Sequence, residues 1–205
     1  MAVVNPKVDG GKPFDWGKAS ADYAKYRDIY PEMFYRQILD AGLCVQGQTV
    51  LDLGTGTGVL PRNLYRYGAQ FVGIDLSPEQ IEQARRLAKQ AGMQIDFFAC
   101  PAESVDFPDH TFDVVTACQC FFYFDAKKLL PNLRRMLRPG GRLAILYMAW
   151  LPGEDPIARA SEQLVLRYNP SWSGGGETRH SIELPPETEM YFTVEQEYLF
   201  DLKIP

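Results

Sequence analysis

Val50-Leu51-Asp52-Leu53-Gly54-Thr55-Gly56-Thr57-Gly58 decides how the rest of the chain is read, because an apolar run of strand type passes directly into a turn with glycine at every second position. Gly54, Gly56 and Gly58 permit positive φ and close approach of the backbone to a bound molecule. The helix that should follow opens with unpaired N–H groups, so the turn reads as a binding element. A dinucleotide fingerprint, GxGxxG from Gly54, requires glycine at position 59, where this chain has Val59. Asp52, just ahead of the glycines, would repel a pyrophosphate and suits a cationic ligand instead. A second apolar run ends Val72-Gly73-Ile74-Asp75-Leu76-Ser77. It places Asp75 at a strand tip about 20 residues past the turn, where an acid suits the two hydroxyls of a ribose. Read alone, Asp75 is equally a turn residue that starts the next helix.

Outward from this centre, short apolar runs alternate with helical patterns between Gln48 and Trp150. Strands are expected at about 48–54, 70–76, 95–99, 112–118 and 142–150. Ser77 caps a helix with Pro78 at its first position and Gln80 at capping-box spacing. Ile81, Ala84, Leu87, Ala88 and Ala91 form its apolar stripe, and Gly92 ends it. A further helix from about Ala126 buries Leu129, Leu130, Leu133, Met136 and Leu137 until Arg138-Pro139-Gly140-Gly141 stops it. Upstream, Pro31 opens a helix with Phe34, Ile38 and Leu39 facing inward. Strand-helix alternation of this kind predicts an α/β fold, a doubly wound, mostly parallel sheet with helices on both faces.

Three regions follow: an arm over 1–30 with Phe14, Trp16, Tyr23, Tyr26 and Tyr30 that gains order against the domain, a core over 31–150, and a lid or insertion over 151–205. That last region carries a helix-like piece at 156–168, the glycine-rich Ser173 to Gly176, and a strand-like run near Met190 to Leu202.

Length and composition agree with one globular domain: 205 residues, 46% hydrophobic and 23% charged. The longest apolar run, Leu143 to Leu151, is too short to cross a bilayer. Met1 to Lys12 lacks a secretory layout, so a cytoplasmic location is expected. Four cysteines without CxxC spacing and only two histidines argue against a zinc site or a disulfide framework, and no metal is expected. A net charge of -5 offers no bulk attraction to nucleic acid. The basic cluster Arg134, Arg135, Arg138 and Arg142 reads as a solvated helix face.

Four landmarks in order resemble the class I S-adenosylmethionine-dependent methyltransferases, in particular the small-molecule group that shares a domain with ubiquinone-biosynthesis enzymes. They are Leu51 to Gly58, Gly73 to Ser77, Ala102-Glu103-Ser104-Val105-Asp106-Phe107-Pro108 with Phe112-Asp113-Val114-Val115, and Leu137 to Gly141. The resemblance implies S-adenosyl-L-methionine as cofactor, with Gly54, Gly56 and Gly58 along its methionine portion and Asp52 near its amino group. It puts Asp75 on the ribose, Leu76 on the adenine, Ala102 and Glu103 at the adenine edge, and Cys118 and Gln119 close to the methionine chain. Tyr23, Tyr26 and Arg27 fall in a Tyr-rich stretch that closes over the cofactor or simply packs.

The expected reaction is methyl transfer to a small-molecule acceptor, which Phe121, Phe122, Tyr123 and Phe124 face unless they are core. His180, Glu177 and Tyr147 are candidates for a base, and none is assigned. A nicotinamide-dependent oxidoreductase and a non-catalytic cofactor-binding member of the same fold are the alternatives. The family's two further edge strands are either missing or lie within 188–204.

Overall fold

The computed structural model describes residues 15–28, 30–172 and 175–203. Met1 to Lys12, Phe14 and the Ser173-Gly174 pair lie outside them. Strands β1 Thr49–Leu53, β2 Gln70–Asp75, β3 Asp96–Ala99, β4 Phe112–Cys118 and β5 Leu137–Leu146 form one sheet in the order β3-β2-β1-β4-β5. Every neighbouring pair is parallel. The chain winds outward from β1 through β2 to β3, then crosses to the other side for β4 and β5. That reversal opens a crevice at the carboxyl ends of β1 and β4.

Alternation along the strands divides the core between two faces. Leu51, Leu53, Val115 and Ala117 pack with Leu129, Leu130, Leu133 and Met136 of helix α5, Ala126–Met136. Val50 and Val114 turn the other way, onto Phe34 and Ile38 of α2 (Glu32–Asp40) and Leu60 and Leu64 of α3 (Val59–Leu64). Burial on both faces is why these strands read as continuous apolar runs. Helix α4, Pro78–Gln90, starts where the Gln80 N–H donates to Ser77 Oγ and adds a third cluster of Ile81, Ala84, Ala88 and Phe97. The arm gains its order as a 3-10 turn, Trp16–Ala19, and helix α1, Ser20–Tyr26, lying against α4.

Two expectations are corrected. The fifth strand begins at Leu137 rather than at 142: Leu137 pairs with Phe112, Arg138 to Gly141 bulge out, and pairing resumes between Val114 and Arg142. The bulge is held because Asp113 accepts from both the Thr49 N–H and Arg138. The run near Met190 to Leu202 forms no strand; residues 186–190 make a 3-10 turn and 192–203 are irregular. Side chains at 193–201 stay exposed, so no face exists to bury a ladder. The tail instead secures the β5 edge by side chains. Leu184, Tyr191 and Phe192 join the α5 cluster, Leu202 joins the α2–α3 cluster, and Glu195 pairs with Arg142 at 3.1 Å. Helix α6, Pro156–Tyr168, forms as read, with Asp155 accepting from the Ile157 and Ala158 N–H groups. Among the described residues no helix is long and apolar enough to cross a membrane.

Gly58 fixes the fit of the turn to the sheet. It sits at φ 74°, and a Cβ there would lie 2.8 Å from the Phe97 ring. Gly58→Ala is therefore expected to lower stability by about 2–4 kcal/mol in urea unfolding. Adding Phe97→Leu should recover only part, because the backbone strain remains; full recovery would contradict this account.

Candidate active site

Glycine at every second position is required here by the backbone itself: Gly54, Gly56 and Gly58 all adopt positive φ, at 57°, 56° and 74°. The three do different work. A Cβ at Gly54 would collide with Cys120 at 2.8 Å, and one at Gly58 with Phe97, so these two admit neighbouring side chains. Gly58 thus serves packing and is not among the residues that line the cavity described below. Gly56 is the open member, and its N–H donates to Asp75 Oδ2 at 2.9 Å. Asp75 Oδ1 accepts from the Ser77 N–H at 2.9 Å, tying the β2 tip to the start of α4. Asp75 therefore shapes the helix entry and also faces the glycine turn. Burial raises its pKa, and the two amide hydrogen bonds oppose that rise.

Asp52 lies beneath the turn at 2% exposure, and Thr116, its register partner on β4, donates a hydroxyl hydrogen bond of 2.6 Å to its Oδ1. Burial pushes the Asp52 carboxyl up to about 6, with the Thr116 hydroxyl pulling the other way. At neutral pH Asp52 is thus a largely ionised, poorly solvated carboxylate, a strong attractor for a cationic group. Thr116 was not singled out from sequence; its signal is a lone hydroxyl inside the buried run Val114-Val115-Thr116-Ala117, aligned with Asp52 once the strands are in register.

A cavity of about 50 Å³ opens above these residues, lined by Gly54 and Gly56 of the turn, Tyr23, Arg27 and Tyr30 of the arm, and Cys118 and Gln119 of the β4 tip, among others. The Arg27 guanidinium stands 5.6 Å over the Tyr23 ring, and its buried Nε has no hydrogen-bond partner among the described residues. Tyr30, also missed from sequence as a lining residue, accepts from the Cys118 thiol at 3.5 Å. Burial pushes that thiol up to about 12, which favours the protonated thiol at neutral pH. Gln119 adopts φ 62° and bonds to the end of β5 and the segment beyond it: N–H to Leu146 O at 2.9 Å and Nε2 to Met148 O at 2.6 Å.

Other predicted site residues stand apart from the cavity. Tyr26 is 65% exposed beneath Lys25 and turns away from it. Leu76 is partly buried next to Asp75. Ala102 is buried in the α5 cluster, and Glu103 accepts from the Asp125 N–H at 2.8 Å, fastening the entry to α5. Phe121 is core, whereas Phe122 and Tyr123 are exposed beside the β4 tip. Among the described residues no group of three or more His, Cys, Asp or Glu could hold a metal.

With this geometry in place, comparison with known proteins is specific. Residues 51–145 match the family described as "Methyltransferase domain". The chain is 40% identical over 114 residues to the demethylmenaquinone methyltransferase of Thermus thermophilus, covering 54% of this chain and 52% of that protein. A SAM dependent methyltransferase from Aquifex aeolicus shares the fold, with TM-score 0.55 and 23% identity over 76% of this chain and 88% of that one. The phospholethanolamine N-methyltransferase 2 of Haemonchus contortus, solved with phosphomonomethylethanolamine and S-adenosylhomocysteine, superposes with TM-score 0.56 and 25% identity, covering 65% of this chain and 37% of that one. The chain spans about half the length of the curated relatives it matches.

Asp52 gives a direct test of the site's electrostatics. Its carboxyl binds a proton more tightly folded than unfolded, so wild-type stability falls as pH rises from about 4 to about 6. Keeping the charge buried above that window costs on the order of 3 kcal/mol. Asp52→Asn keeps an acceptor for Thr116 and removes the charge. It should raise stability by about 1–2 kcal/mol at pH 8 and leave it nearly unchanged below pH 4, measured by urea unfolding at both pH values.

Proposed function

Because residues 51–145 match the methyltransferase-domain family, we propose that this chain binds S-adenosylmethionine at the tips of β1 and β2 and directs its methyl group to a small-molecule acceptor. The observation that carries this reading is the Asp75 carboxylate held by the Gly56 amide at the tip of β2, with buried Asp52 on neighbouring β1. Together they form an anionic crevice suited to a sulfonium, an ammonium and ribose hydroxyls, and hostile to a pyrophosphate. Arg27 supports the same ligand from the opposite wall, since its unpartnered Nε offers a donor to the carboxylate of an amino acid. When bound, the cofactor supplies an electrophilic methyl on a positively charged sulfur. The chain's task is alignment and water exclusion, because direct displacement needs no covalent intermediate.

Asp52 holds the amino group, Asp75 the ribose, and Leu76 with the backbone at Ala102 and Glu103 the adenine side. Gly54, Gly56, Cys118 and Gln119 lie along the methionine portion. Tyr23, Arg27 and Tyr30 close a cavity of about 50 Å³ over the amino-acid end. Residues 15–28 act as a cover over the core, and the described residues after 151 flank the acceptor side. The nicotinamide alternative has Val59 and Asp52 against it.

Calorimetry with S-adenosylhomocysteine tests the proposal. Wild type is expected to bind, and Asp75→Ala to bind at least tenfold more weakly while remaining folded by circular dichroism. A folded wild type that ignores S-adenosylhomocysteine, or that prefers NADH, would overturn it. Transfer of labelled methyl into a small-molecule extract separates an enzyme from a non-catalytic binder.

A further inference from the structure

Beyond the cofactor crevice, one set of titratable side chains converges on the same edge of the sheet. Tyr147, the first residue after β5, donates its hydroxyl to Glu177 Oε1 at 2.8 Å. His180 Nε2 lies 3.0 Å from Glu177 Oε2, and its Nδ1 lies 2.8 Å from the Ser181 carbonyl oxygen. Both ring nitrogens face acceptors, an arrangement that favours the doubly protonated imidazole, whose charge then holds the Glu177 carboxylate. The Ser181 carbonyl and Glu177 raise the His180 pKa accordingly, with Glu183 adding to the effect. Burial and the bond to Glu177 push Tyr147 up to about 12, with Tyr123 contributing.

The segment bearing Glu177 and His180 is tied down at several points. Arg179 pairs with Glu154 and with Asp201, and the Gly176 N–H donates to Glu162.

The cluster also adjoins the cleft. Gln119, which lines the cavity, bonds to the carbonyls of Leu146 and Met148 and so brackets Tyr147 on both sides. Exposed Phe122 meets the Tyr147 ring edge-on at 5.8 Å between centroids, with exposed Tyr123 next to it in sequence. Aromatic surface beside a hydroxyl–carboxylate pair matches an acceptor with a hydroxyl on a planar ring.

We propose that Tyr147 and Glu177 accept the proton of an aromatic hydroxyl during its methylation, with Tyr147 facing the acceptor and His180 positioning Glu177. This rests on the function proposed above. The acceptor oxygen gains a C–O bond to the methyl as the C–S bond of the sulfonium breaks and its sulfur becomes a neutral thioether. As that bond forms, the oxygen turns acidic enough for a carboxylate to deprotonate it. Its proton passes to the Tyr147 oxygen, and the Tyr147 proton passes to Glu177 Oε1. His180 leaves Glu177 Oε1 free for that proton by holding Oε2.

The test titrates 4-nitrocatechol, whose visible absorbance reports its ionisation, into the full chain with saturating S-adenosylhomocysteine. Wild type is expected to bind the probe, and Tyr147→Phe and Glu177→Gln to bind it at least fivefold more weakly with S-adenosylhomocysteine affinity changed less than twofold. The pH midpoint of the bound probe should fall by at least half a unit in Glu177→Gln, because a neighbouring carboxylate disfavours the phenolate, and return in Glu177→Asp. A purely structural Glu177 would leave that midpoint unmoved. Equal binding and an unmoved midpoint in both variants, or no probe binding by a chain that holds S-adenosylhomocysteine, overturns the proposal. Failure of S-adenosylhomocysteine itself to bind sinks the cofactor reading instead.

Discussion

The Asp75 carboxylate accepts from the Gly56 and Ser77 amides at the same time, and the geometry of the crevice depends on that double attachment. It joins the turn after β1 to the start of α4 through the tip of β2. A side chain longer by one carbon would carry the carboxylate past this position, and a neutral one would weaken two charge-assisted bonds. On neighbouring β1, Asp52 keeps a second buried carboxyl, whose charged form burial disfavours.

The two ends of the sheet divide the labour. At the carboxyl ends of the strands, glycines, acids and the arm build the crevice. At the opposite end Asp113 clamps the Thr49 amide and Arg138, holding the bulge that lets β5 pair twice with β4. Partial burial works against the Asp113 charge, yet the Thr49 amide and the Arg138 guanidinium hold its pKa below the usual carboxylate range. Asp113 and the Leu137 to Gly141 landmark therefore contribute framework.

Legibility followed the physics of each segment. Strands buried on both faces announce themselves as apolar runs, and α4 is marked by Ser77, Pro78 and its stripe, so the core could be read from local pattern. The left-handed turn was equally legible, since only glycine adopts three such conformations in five residues without strain. Contacts set by register were not. Thr116 meets Asp52 because of strand pairing, and Glu177 meets Tyr147 across 30 positions. The run at 190–202 misled because its apolar residues alternate without a face to bury.

A crystal structure of the chain with S-adenosylhomocysteine tests most directly whether the β1 and β2 tips grip a nucleoside. The expected density places the ribose hydroxyls within hydrogen-bonding distance of Asp75 and the amino-acid end between Gly54, Gly56 and Arg27. Density at the other end of the sheet, beside Gln48 and Arg142, or a ribose turned away from Asp75, would contradict it.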